Sequence, residues 1–138
     1  MRASRKETVQ IIFDSNFFLI PAQFQLDIFE EMANLLNKRF DPILLSPTLK
    51  ELQRLAEKGS PKTRQQTSLG LKLAERCRLV NVERGPRETH DDVVVRLAAK
   101  WKCLVATNDR ELRKRLRKLE VPVVFMRQRR RLESDGRV

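Results

Sequence analysis

Short apolar runs alternate with helical patterns along most of the chain. Runs rich in Val, Ile, Leu and Phe predict five β-strands, at 8–13, 42–46, 78–83, 103–107 and 121–126. Each run is nearly continuous in its apolar character, which is typical of strands buried on both faces of a parallel sheet. We therefore predict an α/β domain with three layers, in which helices cover both faces of a central, mainly parallel five-stranded sheet.

Segments with apolar residues at helical spacing separate these runs. Several begin with a proline or with a Ser or Thr in a capping position, as helices commonly do. The predicted helices are 21–38, 47–58, 60–77, 91–101 and 109–120, and residues 85–90 are predicted as a loop. We expect residues 1–138 to form a single domain, with residues 1–7 and 133–138 flexible.

The strongly basic composition adds a candidate partner. The chain has 29 Lys and Arg against 18 Asp and Glu, a formal net charge of +11. Such an excess is the electrostatic signature of nucleic-acid binding, although a highly charged solvated surface is the alternative. The basic residues concentrate at 110–118 and 127–131. The candidate RNA-binding residues there are Arg110, Arg113, Lys114, Arg117, Arg127, Arg129 and Arg130.

Other compositional features narrow the class of protein. No apolar run approaches the roughly 20 residues that span a bilayer. The basic, polar start lacks a signal-peptide pattern. Cys77 and Cys103 do not make a disulfide framework, and neither has a partner at zinc-ligand spacing. We expect a soluble cytoplasmic protein with no membrane partner.

Carboxylates stand where the predicted strands end. Asp14 directly follows the first run and Asp109 comes shortly after the fourth. Asp91 and Asp92 begin the helix before the fourth run, and Glu51 lies near the start of the helix after the second. The carboxyl ends of parallel strands share one edge of a sheet, so these acids can meet there. Clustered carboxylates repel one another unless a cation binds, and Mg²⁺ or Mn²⁺ suits such oxygen ligands.

Each of these acids also has a purely structural explanation. Asp14 and Asp109 can cap the helices that follow them. Glu51 fits a capping box with Thr48, and Thr89 can form a looser one with the Asp91–Asp92 pair. The residues alone leave both explanations open.

Neighbouring polar residues give further candidates. Asn16 lies two residues after Asp14, and Thr107 lies two residues before Asp109. Their side chains are placed to orient a carboxylate or a metal-bound water. We interpret His90 as a solvent-exposed loop residue rather than as a catalytic base.

Four stretches of the sequence together resemble the PIN domain, in order and spacing, over nearly the whole chain: "FDSNFFL", "LKEL", "HDDVVVRLAAKWKCLVATNDREL" and "VPVVFM". PIN domains are small α/β metal-dependent nucleases that act mostly on RNA. The resemblance implies that the catalytic acids are Asp14, Glu51, Asp91 and Asp109. It implies that Asp14, Asp91 and Asp109 hold Mg²⁺ or Mn²⁺ and that Asn16, Asp92 and Thr107 support them. Asp91 is favoured over Asp92 because it precedes Thr107 by sixteen residues, the gap expected in the family.

Within the family, the chain is most similar to the branch that processes ribosomal RNA and to its archaeal relatives. "HDD", "KCLVATNDRELRKRLRK" and "PVVFMRQRRR" carry this likeness. It implies an endoribonuclease that hydrolyses phosphodiester bonds of single-stranded or loop RNA in an rRNA precursor.

Two alternatives to this reading stay open. One is a VapC-type toxin ribonuclease with an antitoxin partner, and the other is a non-catalytic RNA-binding factor with a ribosome-assembly partner. Family members often form homodimers, and apolar residues of the 21–38 helix are the candidate dimer surface.

Overall fold

The computed structural model describes residues 8–127 and 131–137, and the strands in these residues form one six-stranded sheet. The strands are β1 (Val9–Phe13), β2 (Phe40–Leu45), β3 (Arg78–Val80), β4 (Leu104–Ala106), β5 (Val123–Arg127) and β6 (Arg131–Asp135). Their order across the sheet is β3-β2-β1-β4-β5-β6. The first five are parallel, and β6 is antiparallel to β5. The predicted mainly parallel α/β sheet is confirmed, but the count of five strands is one too few.

Helices cover both faces of the sheet. The described residues contain a 3-10 helix (Ser15–Leu19) and six α-helices: α1 (Ile20–Phe24), α2 (Ile28–Leu36), α3 (Ser46–Lys58), α4 (Pro61–Ala74), α5 (His90–Trp101) and α6 (Arg110–Lys118). One hydrophobic core lies beneath the 3-10 helix and α1–α4, and the other lies beneath α5 and α6. Among the described residues, no helix combines the length and apolar character needed to cross a bilayer.

The central strand β1 shows why its sequence is continuously apolar. Ile11 and Phe13 pack into one core and Ile12 into the other, and all three side chains are fully buried. The ring of Phe13 meets the ring of Phe17 edge-on, with centroids 5.5 Å apart. This aromatic contact holds the 3-10 helix against the carboxyl end of β1, where Asp14 joins the two elements.

The prediction of one helix over residues 21–38 is wrong. The chain breaks between α1 and α2 at Gln25, which adopts a left-handed conformation with φ 53°. Asp27 then begins α2, because its Oδ1 accepts hydrogen bonds from the backbone N–H groups of Phe29 and Glu30, both at 3.1 Å. This local cap competes with continuation of the helix, whereas the apolar periodicity runs through the break.

Most apolar side chains of the 21–38 region, the candidate dimer surface, pack inward against the core. Every buried side chain of α2 is at most 6% exposed: Ile28, Phe29, Met32 and Leu36. The large apolar side chains that are exposed in the described residues lie elsewhere, and they are Leu69, Leu79 and Leu119. Phe24, Leu26 and Leu35 are half-buried against the same core, and a homodimer through 21–38 stays a prediction.

Strand β6 corrects the expectation that residues 133–138 are flexible. Residues 133–135 pair with residues 125–123 of β5, and Leu132 is 4% exposed. With one apolar residue in "RLESD", the segment lacks a strand signal of its own, and pairing with the edge of β5 supplies the missing stabilisation. The expectation for residues 1–7 and for residue 138 lies outside the described residues.

The predicted bounds of the other strands shift only slightly, except that β3 ends at Val80 rather than at residue 83. The sheet register matters more for the site. Phe13 lies beside Ala106, so the residues that follow them, Asp14 and Thr107, leave the sheet side by side. This edge, at the carboxyl ends of the parallel strands, is where ligand sites of α/β sheets form.

Candidate active site

Asp14 lies at the centre of this edge. Its backbone N–H donates to the carbonyl oxygen of Ala106 at 2.9 Å, and the residue is 3% exposed. Its Oδ1 accepts a hydrogen bond from the N–H of Ser15 at 2.8 Å, and its Oδ2 accepts one from Oγ1 of Thr107 at 2.6 Å. Burial raises the pKa of Asp14 above its ordinary value, and the hydrogen bond from Thr107 partly opposes this rise. The ionised carboxylate would therefore gain from a nearby cation.

Thr107 and Asn16 join the loops that carry Asp14 and Asp109. The fully buried Thr107 hydroxyl donates to Asp14 and accepts a hydrogen bond from the backbone N–H of Asp109 at 3.1 Å. Oδ1 of Asn16 accepts from the backbone N–H of Asn108 at 3.1 Å. Both predicted supporting residues thus cross-link the two loops.

Asp109 caps α6, as the structural explanation anticipated. Its Oδ1 accepts hydrogen bonds from the backbone N–H groups of Glu111 at 2.9 Å and Leu112 at 3.1 Å. The cap uses one carboxylate oxygen and fixes the side chain beside the end of β4. Capping and a functional role are compatible here, because the helix begins at the same edge of the sheet.

Asp91 lies close enough to Asp14 and Asp109 to act on both electrostatically. Burial raises the pKa of Asp91, and the negative charge of Asp109 raises it further. The charge of Asp91 in turn raises the pKa of Asp14, although less than burial does. We call Asp14, Asp91 and Asp109 the carboxylate cluster. Three negative charges at one edge of a basic protein form a site with a preference for cations.

Asp92 has a different role from its neighbour. Its backbone N–H donates to Oγ1 of Thr89 at 3.1 Å, while its Oδ2 accepts from the N–H of Thr89 at 3.0 Å, forming a capping box. Its Oδ1 also accepts a hydrogen bond from Arg115 at 2.9 Å. The backbone hydrogen bond from Thr89 lowers the pKa of Asp92, and the hydrogen bond from Arg115 lowers it further. The looser capping box predicted around the acid pair is therefore formed by Asp92, while Oδ1 of Asp91 lies 3.8 Å from Nδ1 of His90.

His90 is part of the site, and its interpretation as a solvent-exposed loop residue was wrong. It begins α5, and its side chain is 19% exposed. Its Nε2 lies 2.7 Å from Oγ1 of the fully buried Thr48, which belongs to α3. Its Nδ1 lies 3.7 Å from Oδ1 of Asp14 and 3.8 Å from Oδ1 of Asp91. A histidine directly before an acid pair was the sequence signal, but the contact with Thr48 is tertiary.

Glu51 lines a cleft together with His90, the residue whose ring lies near Asp14 and Asp91. Oε2 of Glu51 accepts a hydrogen bond from Arg54 at 2.7 Å, and Arg54 also lines this cleft of about 450 Å³. The predicted capping box between Thr48 and Glu51 does not form, because α3 begins at Ser46 and places Thr48 inside the helix.

The donor set of the carboxylate cluster matches the chemistry of a hard divalent cation, which prefers carboxylate oxygens and water. In residues 8–127 and 131–137, no group of three or more His, Cys, Asp or Glu side chains is arranged so that it could hold a metal ion. The oxygen-only set of Asp14, Asp91 and Asp109 fits Mg²⁺ or Mn²⁺ better than softer metals.

The basic residues proposed for RNA binding are partly engaged within the protein. Three form ion pairs, with N–O distances of 3.8, 3.4 and 3.6 Å: Lys114–Glu111, Arg117–Asp135 and Arg127–Glu133. Arg113 stacks over the ring of Phe125 at 4.1 Å. Arg110 is exposed at the start of α6, and Arg129 and Arg130 lie outside the described residues.

Comparison with known proteins agrees with this architecture. The family model described as "PIN like domain" matches residues 11–129. The chain belongs to this family. The match includes the whole carboxylate cluster, so the PIN resemblance drawn from the short motifs is confirmed.

Individual PIN relatives fall into two groups. The chain is 27% identical to ribonuclease VapC4 of Methanocaldococcus jannaschii over 129 residues, which cover 94% of this chain and 98% of that protein. It is 32% identical to the rRNA-processing protein FCF1 of Saccharomyces cerevisiae over 116 residues, covering 83% of this chain. The match covers 57% of that yeast protein. The chain is thus similar both to a ribonuclease and to an rRNA-processing protein.

Two solved structures share the fold of this chain. The structure of the PIN domain endonuclease Utp24 has a TM-score of 0.77 and 27% identity, covering 94% of this chain and 92% of that one. VapBC2 from Rickettsia felis, bound to a DNA fragment from its promoter, has a TM-score of 0.63. At 17% identity, with 86% of this chain and 100% of that chain covered, this second likeness shows the PIN fold alone.

Proposed function

We propose that this PIN-family protein is a metal-dependent endoribonuclease that hydrolyses RNA phosphodiester bonds during ribosomal RNA processing. The carboxylate cluster carries the proposal, because it places three acids at the carboxyl edge of the sheet in a protein of net charge +11. A basic surface attracts a polyanion, whereas an acidic centre attracts the cation that its hydrolysis requires. The likeness to VapC4 and to the endonuclease Utp24 supports a nuclease.

Asp14, Asp91 and Asp109 would hold Mg²⁺ or Mn²⁺, with Glu51 completing the acidic set. When bound, the ion supplies a nucleophile from water at neutral pH and offsets the negative charge of the reacting phosphate. Thr107 holds Asp14 in place, and the α6 cap holds Asp109. Burial of Asp14 lowers the local dielectric constant and strengthens its attraction for a cation.

The observations favour rRNA processing over a toxin role. The 32% identity to the yeast rRNA-processing protein FCF1 supports an rRNA precursor as substrate and a ribosome-assembly partner. The likeness to VapC4 over 98% of that protein supports the second candidate, a toxin ribonuclease with an antitoxin partner. Expression of the chain alone separates the two roles, because a toxin without its antitoxin arrests growth and a processing enzyme does not.

The direct test of the proposed chemistry is cleavage of a labelled rRNA precursor fragment with Mg²⁺, with Mn²⁺ and with EDTA. We expect internal cuts with a divalent ion and none with EDTA. RNA binding measured in EDTA serves as the control for an intact fold. Tight binding without any cut in all three conditions would contradict the nuclease and favour the non-catalytic assembly factor.

Thr107 offers a prediction about positioning. Thr107→Val keeps the side-chain shape but removes the hydroxyl that joins Asp14 to Asp109. We expect cleavage to fall about 10–100-fold, as for partners that orient metal ligands, and the free energy of unfolding to fall by about 1–3 kcal/mol. Cleavage kinetics and urea unfolding measure the two effects.

Two variants control for a merely structural effect. Thr107→Ser keeps the hydroxyl and should restore most of the cleavage rate. Thr67→Val removes another fully buried hydroxyl, which donates to the carbonyl oxygen of Thr63 within α4, and should leave cleavage unchanged. Equal losses of cleavage in Thr107→Val and Thr67→Val would contradict the positioning role.

A further inference from the structure

The cleft that contains Glu51 directly adjoins the carboxylate cluster. One wall is the start of α3, with Lys50 and Arg54, and the other is the segment 82–84 that follows β3. His90 lines the cleft and also lies 3.7 Å from Asp14. An RNA strand that passes over the carboxylate cluster can therefore continue into this cleft past the imidazole ring of His90.

The second wall of the cleft is fixed in place. The Ser46 hydroxyl accepts a hydrogen bond from the N–H of Val82 at 3.0 Å and donates to its carbonyl oxygen at 3.2 Å. Arg96 donates to the carbonyl oxygen of Glu83 at 3.0 Å. These bonds tie the segment 82–84 to α3 and α5. The two residues that precede Arg84 are thus held by α3 and α5.

The charges in the cleft leave two cations available to a ligand. Arg54 forms an ion pair with Glu51 at 2.7 Å. Within the described ranges, neither Lys50 nor Arg84 forms an ion pair, and both residues are exposed. Glu83 also lines the cleft, and its single negative charge offsets only part of the positive charge of Lys50 and Arg84.

We propose that this cleft binds the RNA backbone next to the scissile phosphate and that Lys50 and Arg84 contact the adjoining phosphates. The inference rests on the proposed endoribonuclease function and states where the substrate strand runs. The carboxylate cluster repels a polyanion, so cations close to it must hold the strand at the site of cleavage. Lys50 and Arg84 supply them, whereas several basic residues of α6 are engaged with Glu111, Asp135 or Phe125.

The test measures RNA affinity without cleavage. Binding of a short fluorescent single-stranded oligoribonucleotide is followed in EDTA over a series of salt concentrations, for the unaltered protein and for Lys50→Ala/Arg84→Ala. We expect the Kd to rise about tenfold or more, which corresponds to the loss of one or two charged contacts. The slope of log Kd against log salt should fall by about 1 to 2.

A matched control removes the same charge and the same residue types from the opposite edge of the sheet. In Arg39→Ala/Lys58→Ala, Arg39 directly precedes β2 and Lys58 lies in the last turn of α3. The Kd of this variant for RNA should stay within about twofold of that of the unaltered protein, since only the long-range attraction between net charge and RNA changes. Equal weakening in both double variants would overturn the proposal, as would a loss confined to a third variant, Arg110→Ala/Lys114→Ala.

Parallel cleavage assays with Mn²⁺ separate this proposal from the proposed function. If the unaltered protein cuts RNA but the cleft variant binds and cuts like the control, the cleft assignment fails and the nuclease stands. If no cutting occurs but the cleft variant alone loses RNA binding, the cleft assignment stands and the nuclease fails. If the unaltered protein does not bind RNA, both fail.

Discussion

Asp14→Asn should lower the rate of RNA cleavage by at least about a hundredfold while RNA affinity in EDTA stays unchanged or rises. Loss of a residue that merely orients a metal ligand costs about 10–100-fold, and loss of a ligand charge should cost at least as much. Affinity should not fall, because the substitution removes a negative charge that repels the RNA backbone. Single-turnover cleavage with Mn²⁺ and fluorescence anisotropy measure the two quantities. A variant that still cuts at the original rate would contradict the role of Asp14 as a ligand of the catalytic metal ion.

The same substitution should raise the free energy of unfolding at pH 7. Burial raises the pKa of folded Asp14 above its ordinary value of 3.8, so the folded state binds the proton more tightly than the unfolded state. The stability from this group is complete below pH 3.8 and is lost as the pH rises through the folded pKa. Asn is neutral throughout, so its advantage should be largest at neutral pH and vanish in acid.

A carboxylate at the opposite edge of the sheet provides the control for the stability effect. Asp41 in β2 pairs with Arg78 at 2.7 Å, so Asp41→Asn removes a favourable interaction. That variant should be no more stable than the unaltered protein at pH 7, and its cleavage rate should not change. Urea unfolding at several pH values makes the comparison. Equal stabilisation by both substitutions would point to a general effect of net charge rather than to burial of Asp14.

Asp91 and Asp92 give the second large effect, because consecutive acids on one helix have different partners. Asp91→Asn removes a charge from the carboxylate cluster and should lower cleavage by at least about a hundredfold. Asp92→Asn alters the capping box with Thr89 and the contact with Arg115, so it should lower the melting temperature but reduce cleavage less than about tenfold.

Cleavage and thermal melting of the two variants are measured side by side. Since both substitutions remove one negative charge from adjacent positions, long-range effects on RNA affinity are matched. A larger loss of cleavage in Asp92→Asn than in Asp91→Asn would reverse the assignment of the acid that faces the metal.

The local sequence carried most of the information about the sheet. Five nearly continuous apolar runs predicted a mainly parallel sheet of five strands, because a strand buried on both faces cannot alternate polar and apolar residues. The local sequence also indicated that Asp14 and Asp109 each follow a strand at the same edge of the sheet. By contrast, β6 has a weak local signal, and the break at Gln25–Asp27 lies inside an unbroken apolar periodicity. Pairing with a neighbouring strand and a side-chain cap decided these two features.

What the sequence by itself determined is therefore the fold class, the family and the acids that stand at strand ends. Only the tertiary structure decided how those acids differ. Thr107 reaches Asp14 across 93 positions, and Thr48 reaches His90 across 42. Such contacts have no local signature, because they arise when parallel strands bring distant segments to one edge of the sheet. The environment of a carboxylate, and with it the choice between a helix cap and a cation site, depends on those contacts.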